Sequence, residues 1–195
     1  MVAGQSLTAG ALDAPSEFAR DRLSVDAQAL SDCVTKVGSG RLETFAENAR
    51  NQCIGIGVDG CLRNQDASVD GIYDRPTYLG CIGLERRYWG WRMDRVIDGL
   101  SGASLSQDQR QFLNRTVPEL DAMVAAWRAY VDIRCSYETS QYDTGPSRGR
   151  EGDIVEWSCL NTQTARFALD LEFRLRAHCS SRLQPHYGPA CEFGE

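Results

Sequence analysis

The spacing of apolar positions along the chain predicts a succession of helices. From Leu23 to Val37, Ala27, Leu30 and Val34 recur on one helix face, and Gly38 follows where a helix stop is favoured. A second stretch, Arg41 to Leu62, begins amphipathic through Leu42, Phe45, Ala46, Ala49 and Cys53. Its continuation, CIGIGVDGC, holds three glycines and predicts helix more weakly. Residues 63–76 read as a surface loop. A third helix opens at Thr77 as its cap and carries Ile82, Trp89, Met93, Val96 and Leu100 at three- and four-residue steps, until SGAS breaks it. Ser106 with Gln109 and Thr116 with Glu119 form two capping boxes, and Pro118 falls in a first turn, where proline is tolerated. The second box starts the stripe Leu120, Val124, Trp127 and Val131, which runs to Cys135. Beyond a polar loop from about Thr139 to Gly152, Ile154, Trp157, Leu160, Thr164, Phe167, Leu171 and Leu175 share a register. No segment alternates as a strand would.

The expected fold is therefore all-α, an up-down bundle of about five helices with irregular ends. Residues 1–22 read as a flexible lead-in, 23–180 as a single helical domain and 181–195 as an irregular tail. No apolar run reaches the roughly 18 residues a transmembrane helix needs.

Eight cysteines in 195 residues change this picture from a bundle to a stapled bundle. Such a count fits an oxidising compartment, periplasmic or secreted, because disulfides do not persist against cytosolic reductants. The even number and the absence of C-x-x-C favour disulfides over a redox pair or a zinc knuckle. The segment MVAGQSLTAGALDAPSEFARDR has neither the basic start nor the apolar core of an export signal, so the expectation is that a signal has been removed.

Helix geometry restricts the pairing. Cys159 and Cys179 on one helix would lie about 30 Å apart and cannot bond. Cys135 near the end of one helix and Cys159 near the start of the next meet if the two helices are antiparallel, and Cys179 with Cys191 would then pin the tail. Cys53 and Cys61 on a shared helix would be about 12 Å apart. An up-down arrangement favours Cys33 with Cys53 and Cys61 with Cys81, and Cys33–Cys61 with Cys53–Cys81 remains the alternative.

Candidate chemistry is sparse. The net charge of −6 disfavours nucleic acid and favours a cationic partner at long range. His178 and His186 beside Cys179 and Cys191 do not form a recognisable ligand spacing, and neither G-x-S-x-G nor a Ser/His/Asp pattern occurs. No catalytic residue, metal or cofactor is expected. In ERRYWGWRMDR, Trp89 and Met93 are expected in the core, with Arg86, Arg87 and Arg92 on the wet face. The loop between Cys135 and Cys159 carries Tyr137, Glu138, Tyr142, Asp143, Arg148, Glu151 and Asp153. That mixture of aromatic and charged groups, on a connection with stapled ends, suits protein recognition.

Three stretches resemble the LprI-type lysozyme-inhibitor-like domain of bacterial exported proteins. Cys81 precedes Glu85, Trp89, Met93 and Asp94; Trp127, Tyr130, Asp132 and Cys135 follow; Cys159, Thr164, Arg166 and Leu169 close the pattern. Cys53 and Cys61, flanking CIG, also look like some members, and the likeness spans about residues 30–175. Gly90, Asp94, Ile97 and Val131 stand where the family pattern has Asp, Asn, Tyr and Arg. The resemblance implies an exported helical binding protein rather than an enzyme, with a cationic lysozyme or another cell-wall hydrolase as partner. A structural or complex-forming envelope protein without inhibitory activity is the alternative.

Overall fold

The computed structural model describes residues 17–20, 23–38, 42–65, 74–101, 117–142 and 151–179. Strands β1 (Glu17–Arg20) and β2 (Leu23–Asp26) precede helices α1 (Ala27–Gly38), α2 (Leu42–Cys53) and α3 (Ile56–Arg63). The long helices α4 (Arg75–Ser101), α5 (Val117–Ser140) and α6 (Gly152–Cys179) follow. Among the described residues the class is all-α, with one small antiparallel hairpin as the exception.

That hairpin departs from the expectation of a helix beginning at Leu23 and of no strand at all. Glu17 pairs with Asp26, and Arg20 with Leu23. Val25 is fully buried, while Phe18 packs edge-on against Tyr88 of α4 at 5.7 Å between ring centroids. Asp26 marks the change of structure, because its carboxylate accepts the backbone N–H of Ala29 at 3.0 Å and so caps α1. An N-cap residue cannot itself be helical, so the helix starts after it.

The second expected helix is two helices. Between α2 and α3 the chain turns at Gly55, whose φ of 97° lies in the left-handed region that glycine alone enters freely. Glu85 of α4, itself fully buried, caps the new start: its carboxylate accepts the N–H groups of Gly55 and Val58, each at 2.8 Å. The same carboxylate accepts Trp89 Nε1 at 3.0 Å and Asn161 Nδ2 of α6 at 3.1 Å. A Cβ on Gly57 would stand 2.9 Å from Glu85 Oε2 and 2.7 Å from Val25, so close packing requires glycine there.

Helix α4 is capped by Asp74 rather than Thr77. Its carboxylate accepts the Thr77 N–H at 2.9 Å and the Thr77 hydroxyl at 3.0 Å. Pro76 then occupies the first turn, where its missing N–H is no loss. α4 packs most extensively on α6, and α6 also backs α2 and α5. Leu30, Phe45, Leu84, Trp89, Leu169 and Leu175 lie in the shared core.

Among the described residues three disulfides join consecutive helices: Cys33–Cys53 links α1 to α2, Cys61–Cys81 links α3 to α4, and Cys135–Cys159 links α5 to α6. The first two are the favoured of the pairings left open by sequence. The break at Gly55 means that Cys53 and Cys61 do not share one helix after all. Cys179–Cys191, the tail 181–195 and the capping box at Ser106 lie outside the described residues, as do the side chains of His178 and His186.

Arg92 corrects a further expectation, since it is buried rather than wet. Its guanidinium grips Glu172 of α6 through Nε at 2.8 Å and Nη2 at 3.0 Å, and donates to the Tyr88 hydroxyl at 3.1 Å. Arg176 adds a further bond to Glu172 at 2.7 Å while its guanidinium lies 4.8 Å from the Phe45 ring centroid. Burial alone would raise the Glu172 carboxyl, but Arg92 and Arg176 outweigh it and hold the group below its ordinary value. Burial raises the Tyr88 phenol, with Arg92 opposing.

A carboxyl whose folded pKa is depressed stabilises the fold above its unfolded value and loses that contribution as pH falls through the folded one. Glu172→Gln should therefore cost about 3–5 kcal/mol at neutral pH in urea denaturation, because it leaves the Arg92 charge buried without its counter-ion. The gap to the parent protein should narrow once the pH falls below the ordinary value of 4.5. Equal stability at neutral pH would contradict the ion pair.

Candidate functional site

Two surfaces remain after the core is assembled, and α5 borders both. This helix buries only a narrow stripe. Val124 and Val131 are buried and Trp127 is half-buried, stacked on Phe167 of α6 at 4.3 Å. Its C-terminal end is held by a small cluster of Val131, Cys135 and Cys159, separate from the main core.

The outward face of α5 is unusually apolar for one that meets solvent. Tyr130 is 51%, Ile133 72% and Tyr137 66% exposed, and Tyr142 just beyond the helix is 47% exposed. Tyr130, Ile133 and Tyr137 recur at three- and four-residue steps, which brings them to one side of the helix. Arg134 ties the face together, donating to the Tyr130 hydroxyl at 2.7 Å and to Glu138 at 3.1 Å, each one turn away.

These positions refine the recognition loop expected from sequence. Tyr137 and Glu138 belong to α5, which runs five residues past Cys135, and only Tyr142 and Glu151 of the described candidates lie on the connection. Glu138 is paired with Arg134, and Asp153, in the first turn of α6, with Arg75 at the start of α4. Glu151 is exposed, and its carbonyl accepts the Val155 N–H at 3.0 Å. Asp143 and Arg148 lie outside the described residues.

The second surface is a cleft of about 850 Å³ between α4, α5, α6 and the hairpin. Three α4 glycines shape its floor. Leu23 packs where Gly80 has no side chain, the Trp157 ring comes within 2.9 Å of the point where a Gly83 Cβ would sit, and Gly90 opens on empty space. Met93, Trp127, Val131 and Leu160 contribute apolar walls. Arg20, Arg86, Arg87 and Arg128 stand around it, with Asp132 as the one carboxylate among the described lining residues.

Trp157 shows why the cleft escaped sequence reading. The register of α6 assigns it to the apolar stripe, yet it is 37% exposed, with the Arg86 guanidinium 6.0 Å from its ring centroid. The available signal was the run of glycines at 80, 83 and 90 inside a helix, since each costs roughly 1 kcal/mol against alanine and calls for a packing reason. Likewise, Tyr130, Ile133 and Tyr137 were visible as a second apolar line on α5, opposite the stripe that ends at Cys135.

Replacing Cys135 and Cys159 together with serine should lower stability by about 2–4 kcal/mol in urea denaturation, the usual effect of opening a loop of this length. Limited proteolysis should then cut between α5 and α6 several-fold faster, while the α4–α6 core still unfolds cooperatively. Unchanged cleavage there would show that the disulfide does not restrain α5.

Residues 66–171, just over half of the chain, match the family model described as Lysozyme inhibitor LprI. No curated protein and no solved structure matches the chain.

Proposed function

Since the chain belongs to the LprI lysozyme-inhibitor family, we propose that it is an exported binding protein that inhibits lysozyme or a related cell-wall glycosidase through the outward face of α5. The observation that carries this reading is the line of Tyr130, Ile133 and Tyr137, exposed on a helix whose end is stapled to α6, with Tyr142 exposed just past that end. Aromatic side chains supply large contact areas for little rotamer entropy, and they dominate the energetics of protein interfaces. The staple and the Tyr130–Arg134–Glu138 ladder fix that surface before a partner arrives, which reduces the ordering cost of binding.

Electrostatics favour a cationic partner. The net charge of −6 steers positive proteins toward the molecule, and Glu151 is exposed on the connection that leads into α6. The three disulfides among the described residues support a working environment in an oxidising compartment, periplasmic or extracellular. The same exposed apolar line also supports a second reading, a complex-forming envelope protein without effect on lysozyme.

Turbidity assays of cell-wall lysis separate the two. The oxidised protein should inhibit a cationic lysozyme, and Ile133→Ala or Tyr137→Ala should raise the inhibition constant about tenfold or more, as expected of central interface residues. Full lysozyme activity at large excess of the oxidised protein would overturn the inhibitor reading. Capture of an envelope partner that Ile133→Ala abolishes would then support the second.

A further inference from the structure

We propose that the cleft between α4, α5 and α6 is a binding site for a single-chain amphiphile with an anionic head, of the free fatty acid class. This inference is independent of inhibition and concerns a different surface from the outward face of α5.

The lining selects both halves of such a ligand. A cleft of about 850 Å³ falls within the range of small-molecule sites. Its walls are chiefly aliphatic, from Leu23, Leu79, Leu84, Met93, Val131 and Leu160. These flexible side chains suit an acyl chain better than a rigid ring. Both indoles already have a face engaged, Trp127 by Phe167 and Trp157 by the Arg86 guanidinium, so neither offers a fresh sandwich for an aromatic ligand.

Charge decides the head. Four arginines and one aspartate line the cleft, a local excess of positive charge on a protein of net charge −6. Guanidinium groups match carboxylate geometry through paired N–H donors. Gly90 leaves the floor open: it lines the cleft, and a Cβ added there would meet nothing within 4 Å. A larger residue at this position should therefore occupy ligand volume without disturbing the packing of α4.

Calorimetric titration of the oxidised full chain with dodecanoate below its micelle concentration tests the site. Saturable binding of one equivalent is expected, with dodecyltrimethylammonium about tenfold weaker or worse and acetate giving no measurable binding. Gly90→Leu should weaken dodecanoate binding about tenfold or more while melting at or above the parent temperature, since leucine is the better helix former. Replacing Arg86, Arg87 and Arg128 together with glutamine should weaken it about fivefold and narrow the preference over the cationic amphiphile. Arg95→Gln, on the exposed face of α4 away from the cleft, should leave binding unchanged. No saturable binding, equal affinity for both head groups, or parent-like binding by folded Gly90→Leu would each overturn the proposal. If Gly90→Leu fails to fold, the head-group comparison on the parent protein decides.

Discussion

Glu85 is a carboxylate with no access to water, and the arrangement of three helices follows from what it takes to keep it there. An ion-bearing group of this kind is costly to bury unless its lone pairs are occupied. Here two backbone N–H groups at the start of α3, the Trp89 indole of α4 and the Asn161 amide of α6 occupy them. The N-terminal dipole of α3 adds a favourable field. Satisfying all four donors at once fixes α3 against α4 and α4 against α6, and accounts for the left-handed turn at Gly55 and the missing side chain at Gly57. It also sets the approach of α3 that lets Cys61 reach Cys81.

The Arg92–Glu172–Arg176 group makes a second charged tie between α4 and α6, with apolar core between the two. Together they make the α4–α6 pair rigid without help from α5. That helix is attached differently, through a narrow apolar stripe, the Trp127–Phe167 stack and the Cys135–Cys159 bond. Its two sides consequently serve two purposes. The inner side closes one wall of the cleft, and the outer side presents tyrosines and isoleucine on a support whose motion the disulfide restrains.

Much of this was legible in the residues. The apolar period located α1, α4, α5 and α6; antiparallel neighbours pointed to Cys135–Cys159, and the up-down arrangement favoured Cys33–Cys53 and Cys61–Cys81 while leaving one alternative open. The motif positions Glu85 and Trp89 stood out through family resemblance, although their spacing alone did not reveal a hydrogen bond between them. What was hidden depended on partners distant in sequence. Arg92 reads as a surface charge until Glu172, 80 residues later, neutralises it. The CIGIGVDGC stretch reads as weak helix until Glu85 caps its second half. The hairpin is too short to show alternation, and Asp26 signals only the start of α1. Trp157 obeys the helical period yet faces the cleft, because Gly83 gives its ring room that a register cannot foresee.

The role of Glu85 as hub is open to direct measurement by native-state hydrogen exchange at the amides of Gly55 and Val58. Because both donate to a fully buried carboxylate, each should exchange only through global unfolding, among the slowest amides in the oxidised protein. Glu85→Gln should speed both by about tenfold or more relative to amides in the middle of α6, since charge-assisted bonds give way to weaker ones. Fast exchange at Gly55 and Val58 in the parent protein, at the rate of an exposed loop, would contradict the hub.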